Sequence, residues 1–158
     1  MLFRSDVFYQ NFLVSSTFVK ELIVKKDFET VKRLLVKPYF VMGTVIEGKK
    51  LGRTIGFPTA NLLAHENKLL PKDGVYLTKT YVDGKMYHSV TNIGKNPTVQ
   101  GTCTSIESHL IDFNELIYGE NIKIEFIEWV RHEVKFNSIE ELKYQIHQDV
   151  SKVEKFLK

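Results

Sequence analysis

Ten residues concentrate the chemical potential of this chain: Gly52-Arg53-Thr54-Ile55-Gly56-Phe57-Pro58-Thr59-Ala60-Asn61. Gly52 and Gly56 lack a Cβ and let the main chain come close to a ligand. Arg53 presents a planar fork of donors that matches phosphate oxygens. Thr59 and Asn61 add neutral oxygens, the hard ligands that Mg²⁺ accepts beside substrate phosphates. Their i, i+2 spacing aims both side chains the same way on an extended segment. The set reads as a candidate magnesium–nucleotide site. A glycine-containing turn leading into a strand, with a surface arginine, is the plainer reading of the same residues. It is not a Walker A loop, because the gap from Gly48 to Gly52 is wrong and no Gly-Lys-Ser/Thr follows. No Gly-x-Gly-x-x-Gly occurs either, so a dinucleotide-binding Rossmann unit lacks its fingerprint.

Two further places could carry chemistry. In Ile106-Glu107-Ser108-His109-Leu110-Ile111-Asp112-Phe113, Glu107 and His109 share one face of an expected strand and Asp112 takes the other. A carboxylate there could accept a proton from a hydroxyl during phosphoryl transfer, or simply face solvent. Arg131, Glu133 and Phe136 lie between the last expected strand and the final helix. An arginine and an aromatic at such a mouth suit a planar ring system, although Phe136 also stands where a hydrophobic staple would. The histidines at 65, 88, 109, 132 and 147 are scattered, and no H-E-x-x-H or Cys/His cluster argues for zinc. The nucleophile elbow of serine hydrolases, Gly-x-Ser-x-Gly, is absent.

These residues need elements to hold them. Residues 15–37 read as helical, with Val19, Leu22 and Ile23 on one apolar face. Asp27 caps a second helix bearing Phe28, Val31, Leu34 and Leu35, and Pro38 stops it. From Tyr39 to about Val134 the pattern changes to strands: Phe40 to Ile46, Val75 to Val82, Lys85 to Ile93, Thr104 to Phe113 and Asn121 to Val130. Asp83-Gly84 is a two-residue hairpin signal. Ser138 and Glu141 form a capping box, after which Ile139, Leu142, Ile146, Val150, Val153 and Leu157 recur at helical spacing. Antiparallel strands followed by one helix predict a small barrel with a packed helix.

Composition bounds the rest. A chain of 158 residues, 43% apolar and 26% charged, is long enough for one globular domain with its own core. The net charge of +3 is too small to argue for nucleic acid, and all of it lies in residues 1–38, where seven Lys/Arg face four Asp/Glu. Those lysines read as a solvated helix face. The single cysteine, Cys103, rules out an internal disulfide and fits a cytoplasmic setting. Neither a membrane-spanning run nor a signal peptide is visible.

The motifs recur together in one known arrangement. Gly43-Thr44-Val45-Ile46-Glu47-Gly48, the Gly52 to Leu62 stretch, Asp73-Gly74-Val75-Tyr76 and Asn92-Ile93-Gly94-Lys95-Asn96-Pro97-Thr98 resemble the riboflavin kinase domain of bacterial bifunctional riboflavin kinase/FAD synthetases. The Glu107 to Phe113 strand, Tyr118-Gly119, Arg131 to Phe136 and the capped helix follow in the same order, so the likeness covers residues 39–157. It implies a mainly β fold, a six-stranded antiparallel Greek-key barrel with a C-terminal α-helix, here preceded by a short helical segment over 1–38. It implies phosphorylation of the riboflavin ribityl 5′-hydroxyl by ATP with Mg²⁺, giving FMN and ADP. Carried over by motif, Thr59 and Asn61 would hold the metal, and Gly48, Arg53, Gly56 and Tyr118 would line the ATP site. Glu107 would be the catalytic base, with Arg131 and Phe136 at the flavin. Val14-Ser15-Ser16-Thr17 resembles the end of the family's adenylyltransferase domain, but the arginines that usually follow are replaced by Phe18 and Lys20. The nucleotide-transfer domain itself is missing, so FAD synthesis is not expected, and residues 1–38 read as a remnant or a truncated preface. Val99 stands where an aromatic is common. A monomer is expected. The other reading of the whole is a flavin-binding module or regulator that has lost turnover.

Overall fold

Local chemistry sets most element boundaries in the computed structural model, which describes residues 7–48, 51–64, 67–98 and 101–156. A small hairpin, β1 (Phe8–Tyr9) and β2 (Phe12–Leu13), turns through Gln10 and Asn11 with φ of 47° and 68°, the left-handed pair that a two-residue hairpin needs. Helix α1 (Ser16–Val24) starts where the Ser15 hydroxyl accepts from the Phe18 N–H at 3.1 Å. In α2 (Phe28–Leu35) the Asp27 carboxylate accepts from the Thr30 N–H at 3.0 Å. Each cap satisfies a backbone donor that the first turn leaves unpaired.

Six strands then close a barrel in the order β3 (Phe40–Ile46), β4 (Ala60–Ala64), β7 (Gly101–Leu110), β6 (Lys85–Thr98), β5 (Gly74–Val82) and β8 (Asn121–Arg131). All pairings are antiparallel. The expected Asp83-Gly84 turn joins β5 to β6, with φ of 46° and 76°. Sequence patterning places β3 where it lies but stops β6 short, since β6 and β7 continue as one long hairpin to the Thr98↔Gly101 pair. It also runs β7 too far. The strand ends at Leu110, and Asp112 sits beyond it in a turn at φ 57°, so it occupies neither face of the strand. Aspartate tolerates that conformation because its short side chain can bond locally. Helix α3 (Leu51–Thr54), a single turn in the glycine-rich stretch, was not expected from pattern.

Alternation divides the strands into two faces. Leu62, Ile93, Ile106, Ile122 and Ile124 point inward and are almost wholly buried. The barrel floor is aromatic: Phe28 of α2 stacks on Phe126 at 5.5 Å and meets Tyr76 edge-on at 5.8 Å. The helices at 15–37 and the barrel therefore share one hydrophobic cluster, with Leu22, Ile23 and Val31 completing it. Leu35, expected on the apolar face, is half-exposed, because α2 ends there in a left-handed residue, Val36 at φ 59°. Outside the barrel, α4 (Ile139–Phe156) lays Val150 and Val153 on Val75, Leu77 and Val90. Burying such a side chain is worth about 1.5–3 kcal/mol. Ile139 is exposed, since it begins the helix beyond the sheet; Leu157 lies outside the described residues.

The interior also holds five fully buried hydroxyls. Thr91 donates to Ser108 at 3.0 Å, and the chain continues from Ser108 to Thr80 (3.1 Å), Ser89 (2.8 Å), Thr78 (2.8 Å) and back to Thr91 (2.8 Å). Thr78 also lies 3.1 Å from the Ser89 carbonyl oxygen, a further acceptor for its proton, so each hydroxyl of the ring has partners within the core and no donor is stranded.

Candidate active site

Strand register gathers the candidate residues on the outer face. Asn61 of β4 pairs with Glu107 of β7, which pairs with Asn92 of β6; Asn92 pairs with Val75 of β5, and Val75 with Arg131 of β8. Residues directly opposite on antiparallel strands carry side chains on one face about 5 Å apart. One row across five strands thus holds Asn61, Glu107, Asn92 and Arg131, although they are up to 70 positions apart in sequence.

Two cavities flank this row. The larger, about 380 Å³, is lined by Gly48, Arg53, Gly56, Thr59, Asn61 and Tyr118. The smaller, about 200 Å³, lies between the barrel and the start of α4 and is lined by Glu107, Arg131, Phe136 and again Thr59. The structure therefore sorts the sequence-selected residues into two groups that meet at Thr59.

The loop between β3 and β4 is shaped by its own glycines more than by open space for a ligand. Phe57 N–H donates to the Gly52 carbonyl at 2.8 Å, and a Cβ on residue 52 would lie 2.3 Å from the Phe57 carbonyl oxygen. Gly52 is needed to close the turn, whereas Gly56 is needed for its φ of 89° and would meet nothing with a Cβ. Gly48 is the close approach: a Cβ there would sit 2.2 Å from the Asn61 amide nitrogen. Tyr118, half-exposed, is held by the next residue, since Gly119 N–H donates to the Val45 carbonyl at 2.9 Å.

His109 fastens this loop to β7. Its Nδ1 lies 2.8 Å from the Pro58 carbonyl oxygen, so that nitrogen carries the proton. Phe57 is held edge-on between His109 at 5.3 Å and His147 of α4 at 4.8 Å. Burial lowers the pKa of His109, and the bond to Pro58 only partly opposes it. Burial thereby favours the neutral ring.

Arg131 has a defined partner. Its Nε reaches both oxygens of Asp149 at 3.1 and 3.0 Å, and its Nη2 donates to Oδ2 at 2.8 Å. Asp149 is 1% exposed and also accepts from Gln145 at 3.0 Å. Much of the fork therefore pins α4 to the barrel, with the Phe136 ring 5.9 Å from the guanidinium carbon. Phe136 and Leu142 line the same cavity, so its place near the helix cap and its place at the mouth are one position. Half of the capping box forms as read, Glu141 N–H donating to Ser138 Oγ at 3.1 Å, whereas the Glu141 carboxylate accepts from the Asn137 N–H instead of that of Ser138.

Sequence reasoning missed Asp149, Asn92 and the part Glu133 plays. Asp149 carried a signal, an acid three residues from Ile146 and four from Val153 on the apolar stripe. A charge there asks for a buried partner. Asn92 stood only as part of the Asn92–Thr98 motif, with no role of its own, because its place beside Glu107 arises from strand register.

Comparison with known proteins extends this picture. The riboflavin kinase (flavokinase) family model matches residues 35–157. The bifunctional riboflavin kinase/FMN adenylyltransferase of Haemophilus influenzae is 43% identical over 144 residues, 90% of this chain and 46% of the relative. The Bacillus subtilis protein of the same description is 45% identical over 139 residues, 86% and 44% respectively. The chain thus spans under half the length of these relatives. A solved riboflavin kinase from Trypanosoma brucei superposes with a TM-score of 0.55 at 26% identity, over 76% of this chain and 80% of that one. With the matched region covering the whole barrel and α4, the chain belongs to the riboflavin kinase family.

Proposed function

We propose that this chain transfers the γ-phosphoryl group of ATP to the ribityl 5′-hydroxyl of riboflavin, giving FMN, and that it does not make FAD. The observation that carries the proposal is the meeting of the two cavities at Thr59, with Asn61 and Glu107 as direct partners across β4 and β7. In that arrangement phosphate occupies the larger cavity and the acceptor alcohol the smaller.

The donor set suits Mg²⁺. Thr59 and Asn61 offer two neutral oxygens, and no cluster of three His, Cys, Asp or Glu side chains exists among the described residues. A cation held here takes its remaining ligands from phosphate and water, as Mg²⁺ prefers. Its contribution when bound is to neutralise charge on the phosphate oxygens. Arg53, exposed on α3, adds positive charge at the same cavity. Glu107 accepts the proton of the 5′-hydroxyl as the oxygen attacks, and β7, fixed by neighbours on both sides, holds it in line. Phe136 packs on the planar ring system. Arg131, tied to Asp149, sets the position of α4 and of that wall.

Chromatography of a reaction containing riboflavin, ATP and Mg²⁺ tests the reading. FMN without FAD is expected. Flavin bound but unchanged would favour a non-catalytic binder, and FAD would overturn the kinase-only proposal.

A further inference from the structure

The polar row contains one group that the proposed chemistry leaves unused. Asn92 is the register partner of Glu107 and lines the same cavity. Its amide nitrogen donates to Glu133 Oε1 at 3.0 Å. An ionised carboxylate only accepts, so the NH₂ must face Glu133 and the carbonyl oxygen must point the other way. That oxygen is buried and has no protein partner among the described residues. Glycine at position 94 makes room for the arrangement, since a Cβ there would lie 2.0 Å from the same Glu133 oxygen. Leaving an amide carbonyl buried and unpaired is destabilising. A group kept in that state beside a reactive carboxylate suits a ligand that brings the missing donor.

We infer that Asn92 is a specificity-determining residue whose carbonyl accepts a hydrogen bond from a secondary hydroxyl of the ribityl chain, an inference that rests on the kinase reading above. The orphan is an acceptor, so the ligand group must be a donor. Glu107, the cross-strand neighbour, takes the reacting primary hydroxyl. Two acceptors on cross-strand partners, whose Cβ atoms lie about 5 Å apart on one face, suit neighbouring hydroxyls on a single polyol. The site thereby reads the polyol as well as the ring, and a flavin with a plain alkyl chain loses this contact while keeping the alcohol to be phosphorylated.

The test compares riboflavin with a flavin carrying a 5-hydroxypentyl chain at N10, on wild type and Asn92→Ala. Wild type should prefer riboflavin by about 10-fold or more in kcat/KM, the value of one hydrogen bond whose loss leaves a buried group unpaired. Asn92→Ala should lose that factor on riboflavin and change little on the alkyl analogue. Glu133→Ala keeps Asn92 but frees its orientation; it should lose less, and again only on riboflavin. Equal losses on both substrates, or no loss on riboflavin, would overturn the inference. Fluorescence quenching with the same flavins reads the contact without turnover. A riboflavin preference abolished in Asn92→Ala, with no phosphate transferred by wild type, would keep the contact and sink the kinase reading instead.

Discussion

The same strands carry two polar clusters, one on each face of the barrel wall. Inside, Thr78, Thr80, Ser89, Thr91 and Ser108 close a ring in which every hydroxyl finds its partners within the core. Outside, Asn61, Glu107, Asn92 and Arg131 form an open row along two cavities, with an orphaned acceptor at Asn92. Ser108 and Glu107 are sequence neighbours that belong to different clusters. Buried polar atoms that satisfy one another stabilise a fold and leave no valence for a ligand. A polar atom held rigidly without a protein partner, as at Asn92 Oδ1, taxes the fold and leaves a valence for a ligand.

Substitutions can separate the two. Glu107→Gln should lower kcat by at least ~100-fold, the lower range for loss of a general base, with the melting temperature nearly unchanged. Near-normal turnover would remove Glu107 from the mechanism. Asp149→Ala breaks a buried pair and leaves the Arg131 fork without its anion, so it should destabilise by about 3 kcal/mol and weaken flavin binding through a displaced α4. Denaturant melts that match wild type would show that the outer row is not clamped from α4. Ser108→Ala opens the inner ring and strands one hydroxyl proton, costing about 1–3 kcal/mol, or a few degrees in Tm for a chain this size. Turnover of the folded variant should hold; a loss as large as that of Glu107→Gln would merge the two clusters into one.

The smallest effect should appear with pH. His109 binds a proton less readily folded than unfolded, because burial lowers its pKa from the ordinary 6.5. The unfolded chain then holds more protons below that value, so stability is present above it and falls as pH drops through 6.5 toward the depressed folded value. Thermal melts on the acid side should show this decline, reduced in His109→Gln. Identical pH slopes would mean that burial does not disfavour the charged imidazole.

How much of this was legible depended on range. The caps at Asp27 and Ser138 and the Asp83-Gly84 turn depend on neighbours within four residues, and pattern alone located them. The Gly52–Asn61 stretch announced itself by composition. What it hid was division of labour: Gly52 closes its own turn, whereas Gly48 is what Asn61 leans on. The Asn61–Glu107–Asn92 row is long-range, fixed by how β4, β7 and β6 slide against each other, and no local spacing encodes that sum. Strand ends were misjudged in opposite senses: alternation continues past the last ladder bond at Asp112, whereas Gly94 and Pro97 interrupt the strand pattern although the ladder runs on to Thr98.

The stacking of Phe28 on Phe126 and Tyr76 has a practical consequence. The region that bears the motifs, residues 39–158, ends in an aromatic mouth for which the helices over 15–37 act as a stopper. A chain trimmed to begin at Pro38 would keep every group assigned to chemistry yet present Tyr39, Tyr76 and Phe126 to water. Such a patch favours self-association, which light scattering would register even while the trimmed protein still bound flavin. The portion that bears the groups assigned to chemistry is therefore smaller than the portion expected to stay dispersed in solution.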